Sequence, residues 1–252
     1  NKTDPRVYYE LDLLYEAGGM PPQKRLELLE DNHRTIIKRD DALSRQIALY
    51  VQLQQYDRAI ELLTGRHFHT WEGGGEIHNV YVDAHLLRGQ KRLKDKKYQE
   101  ALKDFEAALE YPENLEVGRP KTDRRTCQTY FFTGTAYEAL GNTQKAGEYF
   151  EKSASLEVGH SEYSYYKGLA LKKLGQEAQA QRIFNELAES AKPEPAETFF
   201  ANFGERQAHN IRTANSHYIR ALGYLGKGNQ AKAKVEFEQA LNLNINHLWA
   251  GV

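Results

Sequence analysis

Cysteine is almost absent: Cys127 is the only one in 252 residues, so no intramolecular disulfide forms and no thiolate metal cluster assembles within one chain. Proline is scarce, with seven residues, and long stretches are therefore free of the residue that breaks helices. No run of about 18 apolar residues occurs, which excludes a transmembrane helix in this stretch. Neither charge dominates, since 34 Lys and Arg face 35 Asp and Glu. The balance removes any overall electrostatic drive towards nucleic acid or an anionic membrane.

Recognised chemical signatures are missing as well. There is no GxxxxGK[ST] phosphate loop, no HExxH zinc helix and no Gly-x-Ser-x-Gly elbow, and nothing local activates Cys127. No catalytic residue, metal or cofactor is assigned, and an enzyme is not expected. The chain opens at Asn1 rather than Met, without a signal-peptide pattern, and is expected to be a processed or excised piece of a longer protein.

What is abundant is Ala, Leu, Glu, Lys and Gln, straight-chain residues that lose little rotamer freedom in helices. The composition predicts an all-α protein. A period then emerges. The stretch "TYFFTGTAYEALGNTQKAGEYFEKSASLEVG" carries Tyr130, Gly134, Tyr137, Gly141, Ala146, Phe150, Ala154 and Gly159. Small residues at Gly134 and Ala146 let helix backbones approach, and Tyr137 and Phe150 fill the space between them. The pattern returns as Gly168, Leu171, Gly175, Ala180, Phe184 and Leu187, with Gly168 lying 34 residues after Gly134. Gly89, Tyr98, Ala101, Phe105 and Ala108 fit it upstream, and Ala221, Tyr224, Gly226, Ala233, Phe237 and Ala240 fit it near the end. A weaker unit spans Leu43 to Leu63 with Tyr56 and Ala59, and a divergent helical pair is expected over Val7 to Glu30 around Pro21-Pro22.

These units resemble tetratricopeptide repeats. The resemblance implies a right-handed α-solenoid of helical hairpins whose neighbours share one core. The organisation expected is divergent hairpins over residues 1–64 and a repeat array over 65–252, with insertions at 65–75, 112–125 and 191–205. Long connections are more often functional than short ones. The second insertion carries Arg119, Lys121, Arg124 and Arg125, which read either as an anion patch or as a solvated linker. The third, with Phe199, Phe200 and Phe203, is too apolar for a free linker and is expected to pack as a short helix.

The first insertion leads into "RHFHTWEGGGEIHNVY". His67 and His69 face one side if the segment is extended, and Glu72, Glu76 and His78 would extend a nitrogen and oxygen ligand set suited to Zn²⁺. The spacing matches no recognised zinc motif, and Gly73-Gly74-Gly75 leaves the backbone between them free. The glycines beside a helix start would also suit an anion. The more economical reading has Trp71 plug a gap between hairpins while the glycines turn the chain before a helix near Ile77. A second use of His67, His69, Trp71, Glu72 and His78 is contact with a ligand or a neighbouring domain.

"HTWEGGGEIHNVYVDAHLLRG", "EYPENLEVGRP" and the C-terminal "HLWA" also resemble the C-terminal tetratricopeptide region of large Bacteroidetes-type proteins that carry an uncharacterised N-terminal β-rich domain. That resemblance implies a scaffold for a protein or peptide, a buttress for an N-terminal domain of the same polypeptide, or a helical accessory to carbohydrate binding or processing, with Trp71 and Glu72 near the boundary. It also implies a concave face built from the first helix of each hairpin. In this register that face holds Asp83, Leu86 and Gln90; Gln128, Phe131, Thr135 and Glu138; Glu162, Tyr165, Leu169 and Lys172; and Asn215, Tyr218 and Leu222. Only Lys172 and Asn215 would serve a carboxylate clamp, which argues against binding of a chain terminus.

If Phe150 sits in the shared core, Phe150→Ala costs about 3 to 5 kcal/mol in chemical denaturation, the usual loss for a buried aromatic. A cost below about 1 kcal/mol would place it on the surface.

Overall fold

In the computed structural model, residues 3–69, 76–189 and 203–252 are described, without the side chains of residue 76 and residues 203–207. Among them are thirteen α-helices, two short 3₁₀ turns and no strand. The expected all-α repeat of helical hairpins is what forms.

The order is α1 (Pro5–Ala17), α2 (Pro22–Asp31), a single turn α3 (His33–Ile36), α4 (Asp40–Gln52), α5 (Tyr56–Thr64), α6 (Glu76–Lys94) and α7 (Tyr98–Ala107). It continues through a 3₁₀ turn (Glu113–Leu115), α8 (Thr126–Ala139), α9 (Thr143–Ser155), α10 (Tyr163–Lys173), α11 (Glu177–Ala188), α12 (Phe203–Gly226), α13 (Gln230–Leu243) and a last 3₁₀ turn (Leu248–Ala250). The chain forms two compact units. The first contains residues 1–123 and 132–146, the second residues 124–131 and 147–252. Residues 64 and 65, where the sequence suggests a boundary, both lie in the first unit.

The second helices show why the pattern folds as it does. On α5, Tyr56, Ala59, Ile60 and Leu63 are buried, and on α11, Ala180, Phe184, Leu187 and Ala188. Both sets fall at helical spacing along one stripe, while the intervening charged and amide residues stay wet. Small residues on the first helices receive the aromatic ring. A Cβ added at Gly89 would lie 2.3 Å from Phe105, and one at Gly168 would lie 2.5 Å from Phe184. Phe184 is wedged from the other side by α12, where a Cβ at Gly226 would come within 2.2 Å of its ring. Gly223 brings α12 backbone to backbone with α11, since a Cβ there would meet the Ala188 nitrogen at 2.2 Å. Phe105 and Phe184 are fully buried, and Phe150 is 4% exposed.

Each hairpin turns by one device. The second residue after the first helix takes a left-handed backbone, at Gly19, Gln54, Lys96, Gly141, Gly175 and Gly228, with φ between 60 and 78°. The next N–H donates back to the carbonyl five residues earlier: Met20 to Tyr15, Gln55 to Tyr50, Lys97 to Arg92, Asn142 to Tyr137, Gln176 to Leu171 and Asn229 to Tyr224, all at 2.8–2.9 Å. This Schellman closure satisfies carbonyls that a helix end otherwise leaves bare. Asn142 and Asn229 then cap the following helix by accepting from the backbone N–H of Lys145 and Lys232.

Two of the insertions meet in the structure. The first and second pack on each other: the Phe68 N–H donates to the Asn114 carbonyl at 2.7 Å, and the Asn114 side chain donates to the carbonyls of Leu63 and Arg66. Phe68 and Leu115 are buried beneath them. Arg119 is not left to an anion patch; its guanidinium lies 4.7 Å from the Tyr111 ring centroid and donates to the Leu109 carbonyl. In the third insertion, Phe199 and Phe200 lie outside the described residues, and Phe203 opens the 24-residue helix α12.

A left-handed conformation costs an L-residue about 1 to 2 kcal/mol, a cost glycine escapes. Lys96→Gly is therefore expected to raise stability by about 1 kcal/mol and Gly175→Ala to lower it by a similar amount, read from urea midpoints. A loss of stability with Lys96→Gly, or none with Gly175→Ala, would contradict the shared closure.

Candidate functional site

The residues expected on a first-helix face do not all reach a surface. Gln128 is buried and donates to the Tyr166 hydroxyl at 2.9 Å. Phe131 is buried against Phe150 and Tyr166, with ring centroids 5.9 and 6.0 Å away. Tyr218 is buried between Phe237 and His247, and Leu86 and Leu222 are interior too. These side chains point into the hairpin stack because large apolar groups on a first helix meet the neighbouring hairpins. Their placement on an open face is corrected to the core.

The rest keep some exposure. In the first unit Asp83, Gln90 and Thr135 are half-buried and Glu138 is exposed. In the second, Glu162 and Tyr165 are half-buried, and Lys172 and Asn215 are exposed. Tyr165 packs on Phe184 at 5.9 Å and edge-on against Tyr166 at 5.3 Å, and burial pushes its hydroxyl pKa up to about 12. Lys172 pairs with Glu177 at 3.3 Å.

The histidine stretch splits into two environments. His78 is buried, stacked on Tyr111 at 3.8 Å, with its Nε2 at 3.0 Å from the Glu110 carbonyl. It is part of the interior, not of a ligand set with His67 and His69. Those two flank the buried Phe68 and both reach Glu116, with His67 Nε2 at 2.6 Å and His69 Nδ1 at 3.5 Å from the same carboxylate oxygen. Glu116 carries no motif and is distant in sequence, so pattern reading had no means of finding it. Trp71 and Glu72 lie outside the described residues, as does the side chain of Glu76; the carbohydrate expectation attached to Trp71 and Glu72 gains no observation.

Three buried ionic clusters went unread in the sequence. Arg25 grips Asp12 with two hydrogen bonds of 2.8 Å, and Arg45 reaches the same carboxylate at 2.6 Å, which ties α1, α2 and α4. Asp104 on α7 accepts from Arg88 at 2.7 Å and Arg92 at 2.8 Å, and faces His85 Nδ1 at 3.1 Å. The same arrangement returns on α12 and α13, where Glu236 meets His217 Nδ1 at 2.7 Å and Arg220. The spacing is identical: His, then Arg three residues on, then the acid sixteen later. That recurrence is the signal from which the two latter clusters were legible.

Grooves are modest. In the first unit one of about 420 Å³ is lined by Glu30, His33, Gln46, Tyr50, Arg58 and Glu61. Its groups are largely spent on each other: the Tyr50 hydroxyl donates to Glu30 at 3.0 Å, Gln46 donates to Tyr50, and Arg58 lies over the Tyr50 ring. Burial and the Glu30 carboxylate push the Tyr50 pKa up to about 12. Cys127 is fully buried beside Ser153, and burial raises its pKa to about 11. A thiol so protonated is a poor nucleophile.

Residues 128–157, which span most of α8 and all of α9, match the family model of the tetratricopeptide repeat. Similarity also extends to a solved structure described as the crystal structure of YrrB, a TPR protein with an unusual peptide-binding site, at 18% identity over 96% of this chain and 95% of that one. The TM-score is 0.28.

Burial would raise the Asp104 pKa, but the hydrogen bonds from His85 and Arg88 and the charges of Arg88 and Arg92 outweigh it and hold it below the ordinary 3.8. As pH falls, the unfolded chain takes up this proton first, so the stability Asp104 contributes is complete above its unfolded value and lost as pH falls through the lower folded value. Asp104→Asn is expected to destabilise by about 1 to 3 kcal/mol at pH 7, because the partly buried Arg88 and Arg92 lose their buried counter-charge. Denaturation midpoints of wild type and variant should converge as the pH drops below 3.8; a gap unchanged down to pH ~2 would contradict the pairing.

Proposed function

We propose that this chain is a non-enzymatic helical-repeat scaffold that binds a protein or peptide segment. The observation that carries the reading is the tetratricopeptide match over residues 128–157, set among hairpins closed by one recurring turn. The buried, protonated Cys127 is consistent with a non-catalytic role.

In the second unit the contact falls on the first helices α10 and α12, through Glu162, Tyr165, Lys172 and Asn215. Tyr165 is the anchor: packing against Phe184 holds its ring, so little rotamer entropy remains to be lost when a partner covers the rest. Glu162, Lys172 and Asn215 supply charge and hydrogen bonds at the rim, where they set orientation more than affinity. Asp83, Gln90, Thr135 and Glu138 offer a comparable mix on the first unit's own first helices. The partner is an extended or helical segment laid along such a face.

Peptides selected by display on the immobilised chain supply the probe, and fluorescence anisotropy the readout. A Lys172→Glu/Asn215→Glu double variant, changed only at exposed positions, is expected to bind at least about tenfold more weakly with an unaltered Tm. Tyr165→Leu keeps most of the packing and is expected to weaken binding as well. Undiminished affinity in both variants would remove this face from the account.

A further inference from the structure

We propose that His67, His69 and Glu116 form a Zn²⁺ site that clamps the connection after α5 to the turn after α7. The proposal is independent of the peptide-binding reading.

The three donor atoms, His67 Nε2, His69 Nδ1 and a Glu116 carboxylate oxygen, lie within 4.8 Å of one another. Two imidazoles and one carboxylate suit Zn²⁺, whose bonds of about 2.0–2.2 Å in a tetrahedron separate neighbouring ligand atoms by about 3.3 Å. The observed 2.6 and 3.5 Å distances to Glu116 bracket that value. The two imidazole nitrogens lie within 4.8 Å of each other, and binding requires the side chains to rotate until all three separations reach that value. Calcium and magnesium, which take oxygen donors, fit the set poorly.

The backbone beneath the site is already fixed. His67 and His69 alternate with Phe68, which is buried, so their rings project to one side with centroids 5.0 Å apart. The Phe68 N–H is bound to the Asn114 carbonyl, the His69 N–H to Asp40 at 2.9 Å, and the Asn114 side chain to Leu63 and Arg66. Glu116 sits in the left-handed region at φ 50°, which is unfavourable for an L-residue and is held here by the 3₁₀ turn it ends. The three side chains are 52%, 71% and 39% exposed, so the ion has an entry path, and three protein ligands leave a fourth position for water.

The test uses the metal-stripped full chain and Zn²⁺ alone, by isothermal titration calorimetry, with His67→Ala, His69→Ala and Glu116→Gln as comparators. One equivalent is expected to bind to wild type and to raise its Tm, with each variant at least about tenfold weaker and showing no Tm rise. Far-UV circular dichroism checks that the variants, changed only at exposed side chains, stay folded. Substitution by Co²⁺ is expected to give the intense visible absorption of a tetrahedral site in wild type and not in Glu116→Gln. Absence of Zn²⁺ binding in wild type overturns the proposal. Binding that persists undiminished in all three variants overturns it as well, by assigning the ion to other donors.

Discussion

An aromatic ring resting on a glycine is the contact from which the hairpins are built. Gly89 and Gly168 on first helices leave a hollow where a side chain would stand, and Phe105 and Phe184 on second helices fill it. Burying a phenylalanine contributes about 1.5 to 3 kcal/mol, and it does so here only because the backbones come close enough for the ring to be enclosed. Phe184 is shared, since Gly226 of α12 closes on its other side and Gly223 holds α12 against α11. A hairpin alone would leave the side of that ring facing α12 uncovered. This is the physical reason such units stack instead of standing singly.

Once the helices are that close, the turn between them has little freedom. One left-handed residue and one backward hydrogen bond recur at all six joints. Glycine occupies four of them, and Gln54 and Lys96 adopt the same geometry at some cost. The ionic clusters act on a different level. Asp12, Asp104 and Glu236 are buried carboxylates paired with arginines. Their worth lies less in net stability than in the penalty for losing a partner.

The fold class was legible because its determinants are local and periodic. Gly168 and Phe184 announce a hairpin by spacing alone, and Gly141 and Gly175 mark turns that only a left-handed backbone makes. The candidate site was less legible. Phe131 and Tyr218 sit on the expected helices, yet whether a first-helix side chain faces a partner or the next hairpin depends on packing that no single repeat encodes. Gln128 was drawn inward by a hydrogen bond to Tyr166, thirty-eight residues on. The meeting of His67 and His69 with Glu116 arises from two insertions folding onto each other, and insertions are where periodicity falls silent. By contrast, His85, Arg88 and Asp104 were readable in principle, since His217, Arg220 and Glu236 repeat their spacing.

The proposed scaffold role rests on these packing constraints. Most of the large apolar residues of the repeats are taken up in stacking, and the described surface mixes charged and amide groups with partly exposed tyrosines and single apolar side chains such as Ile211 and Val235. All of this presupposes the ring-on-glycine contact. The most direct test is a double-mutant cycle on Gly168→Ala and Phe184→Ala, with free energies from urea denaturation. Gly168→Ala should be costly with Phe184 present and nearly neutral once the ring is gone, a coupling of about 1 to 3 kcal/mol. Additive effects within about 0.5 kcal/mol would mean that the ring does not rest on the glycine, and the account would fail at its base.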